Sequence, residues 1–323
     1  SLIVPIISVS GIFLSYFNQQ KRYKLLINNG IDPVKAANII FNIPEVTKPN
    51  LLIIIGSIFF VIFTLLVGTS KMALSQEIVF VGSFMIILFL LFKLSNELDA
   101  NAKKMLIGTA IIIFVFRAMP GVGQGGSWFE IDVLGFDQEF LSLLGLIASF
   151  LTILGIFVLR PLMEKSSMTR LIVILSIAGS FFILPSIAMF YGLHEFTSKL
   201  TNGLVDARFI AIFNTALESP LGQVSMIPIL AWIAQSAPNH LKATFFAVLA
   251  SFTNLALSAS NLGTKYLNQL YVITREVKND LGIIKTPADY SELGILLIIV
   301  CVLTLTIPIL VTYIVKKLKL LSY

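Results

Sequence analysis

The chain has 323 residues, of which 57% are hydrophobic and only 12% charged, with a mean hydropathy of +0.92 and a formal net charge of +6. This composition excludes a water-soluble domain and indicates an integral membrane protein. The positive balance reads as lysine and arginine facing a cytoplasmic membrane surface, and nothing in it resembles a nucleic-acid patch.

A bilayer core of about 30 Å needs roughly 20 apolar residues in an α-helix. Hydropathy places such spans near residues 1–17, 51–68, 77–94, 105–122, 139–159, 171–193, 207–234, 241–263 and 292–315, which predicts nine transmembrane helices. Stretches such as "LLIIIGSIFFVIFTLLVG" are apolar on every face and lack the alternation of a membrane β-barrel, so the fold class is all-α. Ser1 already lies inside an apolar run with no basic leader before it, and the chain reads as cut short at its N-terminus.

With residues 18–50 on the cytoplasmic side, fifteen of the 23 lysines and arginines collect there, Lys48 and Lys242 among them. Lys71, Lys199, Lys265, Arg275, Lys278 and Lys285 fall on the other side, and the C-terminus is cytoplasmic. A multi-pass protein of a bacterial cytoplasmic membrane is expected. Cys301 is alone and mid-span, and His194 and His240 sit at helix ends as interfacial residues. No zinc spacing, HExxH, GxSxG or phosphate-binding loop occurs, so neither metal, cofactor nor catalysis is expected.

Polar groups inside spans carry more information, because each costs a few kcal/mol in lipid unless it has a partner or a wet cavity. In "FVFRAMPGVGQGGSWFEID", residues 114–132, Pro120 with Gly121, Gly123, Gly125 and Gly126 breaks the helix after Arg117, just where Gln124 appears. Non-helical backbone at that depth needs protein or a cavity around it, so this end is expected either to expose both side chains to a polar pathway or to let Arg117 snorkel above a plain loop. In residues 206–239, Asn214 and Glu218 share a helix face, and Pro220, Gly222 and Pro228 loosen the backbone beside Gln223. Glu218 is the candidate for proton coupling; Asp206 and Arg208 are expected near an outer mouth or in an ion pair. In residues 245–263, Ser251, Asn254, Ser258 and Asn261 form a stripe that reads first as a close-packing seam and second as the wall of a pathway.

The order and spacing of "LGFDQEFLSLLGLIASFLTILGIFVLRPLMEKSSMTRLI", "DARFIAIFNTALESPLGQVSMIPILAWIAQSAP" and "LKATFFAVLASFTNLALSASNLGTKYL" resemble the folate/biopterin transporter family, a branch of the major facilitator superfamily. The resemblance implies twelve helices in two six-helix bundles. Residues 1–94 would then hold the last three helices of the N-terminal bundle and residues 105–323 the C-terminal bundle. Arg160, Glu164, Lys165 and Arg170 would lie in the superfamily's basic gating loop, and Lys242 replaces an acidic residue that members often carry.

The implied function is secondary transport of a folate or pterin by alternating access, with symport of H+ as the coupling. Arg117 would attract the solute carboxylates, Gln124 would face the same path, and Asn214, Glu218, Gln223 and Asn254 would surround the solute. Phe116, Trp128 and Phe129 are candidates to stack on its ring. A facilitator for another solute and a non-transporting assembly factor remain open alternatives.

Overall fold

In the computed structural model, residues 3–41, 51–70, 72, 74–236, 242–278 and 284–320 are described. His240, Lys48 and Lys71 lie outside them. The chain divides into two compact units, residues 1–50 and 51–323.

The first unit contains α1 (Ile3–Asn28) and α2 (Pro33–Phe41). Between them Gly30 takes a positive φ of 81°, which ends α1, and the Asp32 carboxylate accepts the Lys35 amide at 3.3 Å to start α2.

The second unit runs through α3 (Leu51–Gly68), α4 (Ser75–Ser95), α5 (Ala100–Arg117), α6 (Gln124–Asp132), α7 (Gln138–Val158), α8 (Arg160–Lys165), α9 (Met168–Phe190), α10 (Leu193–Leu200) and α11 (Ala207–Glu218). A single 3₁₀ turn, Ser219–Leu221, leads to α12 (Met226–Ser236) and α13 (Lys242–Leu270). A small antiparallel hairpin, β1 (Val277–Lys278) and β2 (Ile284–Thr286), precedes α14 (Leu293–Lys317).

Aspartate and serine set several of these starts. Asp99, Asp137, Ser167 and Asp206 each accept the amide three residues on, at distances of 2.8 to 3.3 Å, so orphan donors at the N-termini of α5, α7, α9 and α11 are satisfied.

Among the described residues, α4, α7, α9, α13 and α14 are long and apolar enough to cross a bilayer. The span expected over 207–234 is not one helix: Pro220 and Gly222 divide it into α11, the 3₁₀ turn and α12. The span expected over 105–122 stops at Arg117, and the one expected to end at 263 continues to Leu270.

Helix α14 packs along α9, α13 along α4 and α5, and α7 against α11 and the 3₁₀ turn. The largest buried cluster joins Leu90, Ile112, Ile113, Ile233, Phe245 and Leu249 from α4, α5, α12 and α13. Many large apolar side chains remain on the outside, such as Phe150 and Phe157 of α7, and in lipid this exposure carries no penalty.

Candidate functional site

A cavity of about 830 Å³ lies between α3, α4 and α13. Its apolar walls include Phe60, Phe80, Ile87 and Leu255, and its polar lining comes from Thr64, Gln76, Ser83, Ser251, Asn254, Ser258, Asn261 and Lys265. The last five recur at spacings of three and four, so α13 presents one polar face over about 21 Å of its length at 1.5 Å per residue. The stripe that read first as a packing seam therefore lines open space. Asn254 and Asn261 make no hydrogen bond among the described residues, which leaves two amide donors and two acceptors facing the cavity. Ser251 has turned its hydroxyl back to the Ala247 carbonyl at 2.8 Å and offers only acceptor capacity.

A second polar face on α13 holds the glycine-rich segment. Ser260 donates to the Met119 carbonyl at 2.6 Å, Thr264 accepts the Gly121 amide at 2.8 Å, and Asn268 donates to the Val122 carbonyl at 3.1 Å. These three residues are four apart and clamp residues 119–122 as a strap along the helix. Gly123, at φ +77°, would place a Cβ within 2.9 Å of the Asn268 amide. The broken helix end thus has its backbone satisfied by α13. Sequence reading missed Thr264 and Asn268, although the four-residue spacing after Ser260 was present.

The expected solute-binding residues do not converge. Asn254 is on the main cavity. Glu218 lines a separate cavity of about 370 Å³ with Thr152, Thr215 and Gly222, between α7 and the end of α11. Asn214 donates to the Phe182 carbonyl of α9 at 3.3 Å, a structural tie between helices. Arg117 sits between α5 and α12, with Nη1 3.3 Å from the Met226 sulfur and its buried Nε without a partner among the described residues. Gln124 is exposed at the first position of α6, and Gln223 is half-buried in the turn before α12. Phe129 is enclosed by Leu293, Leu297, Phe190 and Tyr290, with no face open for a solute. In the expected gating segment, Arg160 and Glu164 form an exposed i,i+4 pair at 2.7 Å on α8, beside Lys165, and Arg170 lies in the first turn of α9. Arg208 bridges to Asp137 at 2.6 Å, and Asp206 is occupied as the α11 cap.

The described residues of 271–278 and 284–292 are anchored at the same end of the bundle. Arg275 makes a two-pronged contact with Asp132, at 2.8 and 2.7 Å, and the Tyr290 hydroxyl donates to the same carboxylate at 2.6 Å. The Arg275 guanidinium, and then the Tyr290 hydroxyl, hold the Asp132 carboxyl below the usual carboxylate range. Burial and the bond to Asp132 push the Tyr290 phenol up to about 12, so it remains a donor at neutral pH.

A depressed carboxyl contributes stability that is present above the unfolded value of about 3.9 and is lost as the pH falls through the folded value. Hydrogen exchange in 271–278 and 284–292 is therefore expected to rise below about pH 4. Asp132→Asn should raise it about fivefold at pH 7, as loss of about 1 kcal/mol implies. Unchanged exchange in that variant would show that the hairpin holds the segment alone.

The family model described as the BT1 family matches residues 91–322. The chain belongs to the BT1 family. Within 24% identity over 158 residues, it is similar to the folate-biopterin transporter of Synechocystis sp. (strain ATCC 27184 / PCC 6803 / Kazusa), which covers 49% of this chain and 31% of that relative. Similarity at 24% identity over 165 residues extends to a protein of Plasmodium berghei (strain Anka) provisionally named folate transporter 2, covering 50% of this chain and 34% of that relative. The matches thus span about a third of each relative's length. No solved structure matches the chain. Within this BT1 chain the matched region contains α13 with both its polar faces, whereas α3 and most of α4 lie before it.

Proposed function

We propose that this BT1 chain forms part of a secondary transporter that carries a folate or pterin across the membrane by alternating access, in the two-bundle manner of the major facilitator superfamily. The observation that carries the reading is the cavity between α3, α4 and α13, walled by aromatic and aliphatic groups and supplied with amides and hydroxyls along one helix face. That mixture suits a flat heterocycle with a polar edge, because apolar walls bury the ring while a few placed donors and acceptors fix its orientation. The names of the two relatives supply the solute class.

Asn254 and Asn261 are assigned to the pteridine edge, with Phe60 and Phe80 as its apolar walls. Glu218 lies on the separate small cavity and is not assigned a solute contact. Coupling to a proton gradient is part of the reading.

The test is uptake of labelled folic acid by vesicles containing the complete protein. Saturable uptake, reduced at least about tenfold by excess biopterin and by an uncoupler, is the expected result. Uptake competed instead by unrelated sugars or amino acids, or none from correctly folded protein, would remove folates and pterins as cargo.

A further inference from the structure

At the end of the cavity where α3 turns into α4, one group stands apart. Lys265 is the only charged residue among the described residues lining the cavity. Its ammonium donates to Glu77 Oε1 at 2.6 Å, and the neighbouring Tyr266 hydroxyl donates to the same oxygen at 2.9 Å. The other carboxylate oxygen, Oε2, is buried and has no partner among the described residues. The side chain of Lys265 is 34% exposed and that of Glu77 is 18% exposed, so the lysine faces the cavity with the glutamate behind it.

A buried carboxylate offers about four lone-pair sites and is ordinarily satisfied on both oxygens. Here two donors crowd one oxygen and the other is bare. Of the helices packed against α4, α13 presents Lys265 and Tyr266 to Glu77, α3 carries no titratable residue, and α5 carries Lys103 and Lys104 in its first turns and Arg117 at its end beside Met226. On α4 itself the other charged residue, Lys93, is sixteen residues away, about 24 Å along the helix. Among the described residues, Lys265 is the cation paired with Glu77.

We infer that Lys265 is the receptor for a solute carboxylate and that Glu77 takes up one proton when that carboxylate displaces it. The inference rests on the transport reading for its solute, and on the ion pair alone for its chemistry. An organic carboxylate exchanges for Glu77 at Lys265 without leaving the ammonium unpaired. Glu77, now without a cation, accepts a proton at the bare Oε2 and still receives the Tyr266 hydroxyl at Oε1. The charge balances: the ammonium and carboxylate, plus a solute carboxylate and a proton, become an ammonium–solute pair and a neutral acid. One solute carboxylate enters with one proton, so the exchange at Lys265 is itself electroneutral, and a second carboxylate on the solute adds its own charge.

The pair can be tested on the full-length protein in nanodiscs with two probes: p-aminobenzoyl-glutamate, which has carboxylates and no pterin ring, and biopterin, which has the ring and no carboxylate. In the wild type, affinity for p-aminobenzoyl-glutamate is expected to rise about tenfold per pH unit on acidification across the range where Glu77 is ionised in the free protein. Lys265→Gln should weaken this probe at least about tenfold and biopterin less than about threefold. Glu77→Gln, which keeps an acceptor for Tyr266, should bind the acid with an affinity independent of pH.

Equal losses of both probes in Lys265→Gln, a pH dependence that survives in Glu77→Gln, or no binding of the acid to folded wild-type protein would each overturn the inference. Binding of the acid with the expected pH behaviour, but no uptake of folic acid or biopterin, would instead sustain the pair and overturn the solute class proposed above.

Discussion

Gly155→Leu is expected to lower sharply both the yield and the unfolding temperature of the folded protein. Gly155 lies on α7 against the 3₁₀ turn, where any Cβ would run into the carbonyl oxygen and Cα of Pro220. The obstacle is backbone rather than the tip of a flexible side chain, so relief requires α7 and the turn to separate. Nearby on α7, the Thr152 hydroxyl donates to the Ser219 carbonyl at 2.9 Å, and the same separation would break that bond. Helix α7 has few other anchors, since it packs on α11, the turn and α8 while most of its surface is exposed.

Overpacking in a tight contact costs about 1–3 kcal/mol, and loss of the hydrogen bond adds about 1 kcal/mol, together near a 100-fold fall in the folded-to-unfolded ratio. The measurement is the monodisperse yield after detergent extraction, with thermal unfolding of whatever is recovered. Thr152→Val should lose only the hydrogen-bond share. A Gly155→Leu protein with wild-type yield and unfolding temperature would show that α7 does not depend on this contact.

Ser258→Trp is expected to stop transport while leaving the fold intact. Ser258 faces the cavity, whose volume of about 830 Å³ has room for an indole without moving a helix. The ring would occupy the space assigned to the solute and cover Asn254 and Asn261. Uptake should fall at least about 100-fold, beyond what loss of one hydroxyl contact could cause. The comparison is Ser260→Trp, only two residues along α13 but on the other polar face, where the serine hydroxyl holds the Met119 carbonyl at 2.6 Å. That variant should lose folded protein rather than activity alone. Normal uptake by Ser258→Trp would place the solute path outside this cavity.

The all-helical membrane fold was legible because an apolar run of about 20 residues has few alternatives in lipid. The polar stripe of Ser251, Asn254, Ser258 and Asn261 was legible as a stripe, but periodicity alone does not say whether a helix face meets another helix or open space. Lys265 was assigned to a loop because hydropathy falls after residue 263, whereas the helix itself continues to Leu270. Glu77, in the first turn of α4, was not singled out at all.

Their pairing joins residues 188 apart in sequence, and no local pattern encodes it. The scattering of Arg117, Glu218 and Asn254 has a similar origin. Each is unusual in a span, and the cost of burying a polar group is met separately for each: by packing against α12, by a small cavity, and by the main one.

The strap over α13 bears on how this sequence tolerates change through evolution. Ser260, Thr264 and Asn268 grip main-chain atoms of residues 119–122, which every amino acid supplies, so that hold survives drift in the strap's own side chains. Selection falls instead on shape at two neighbouring glycines. A Cβ on Gly123 would meet the Asn268 amide, and one on Gly125 would press on Ile273 at 2.7 Å. A saturation scan of the segment would separate these two kinds of constraint, with broad acceptance at Val122 beside near-exclusion of larger residues at Gly123 and Gly125.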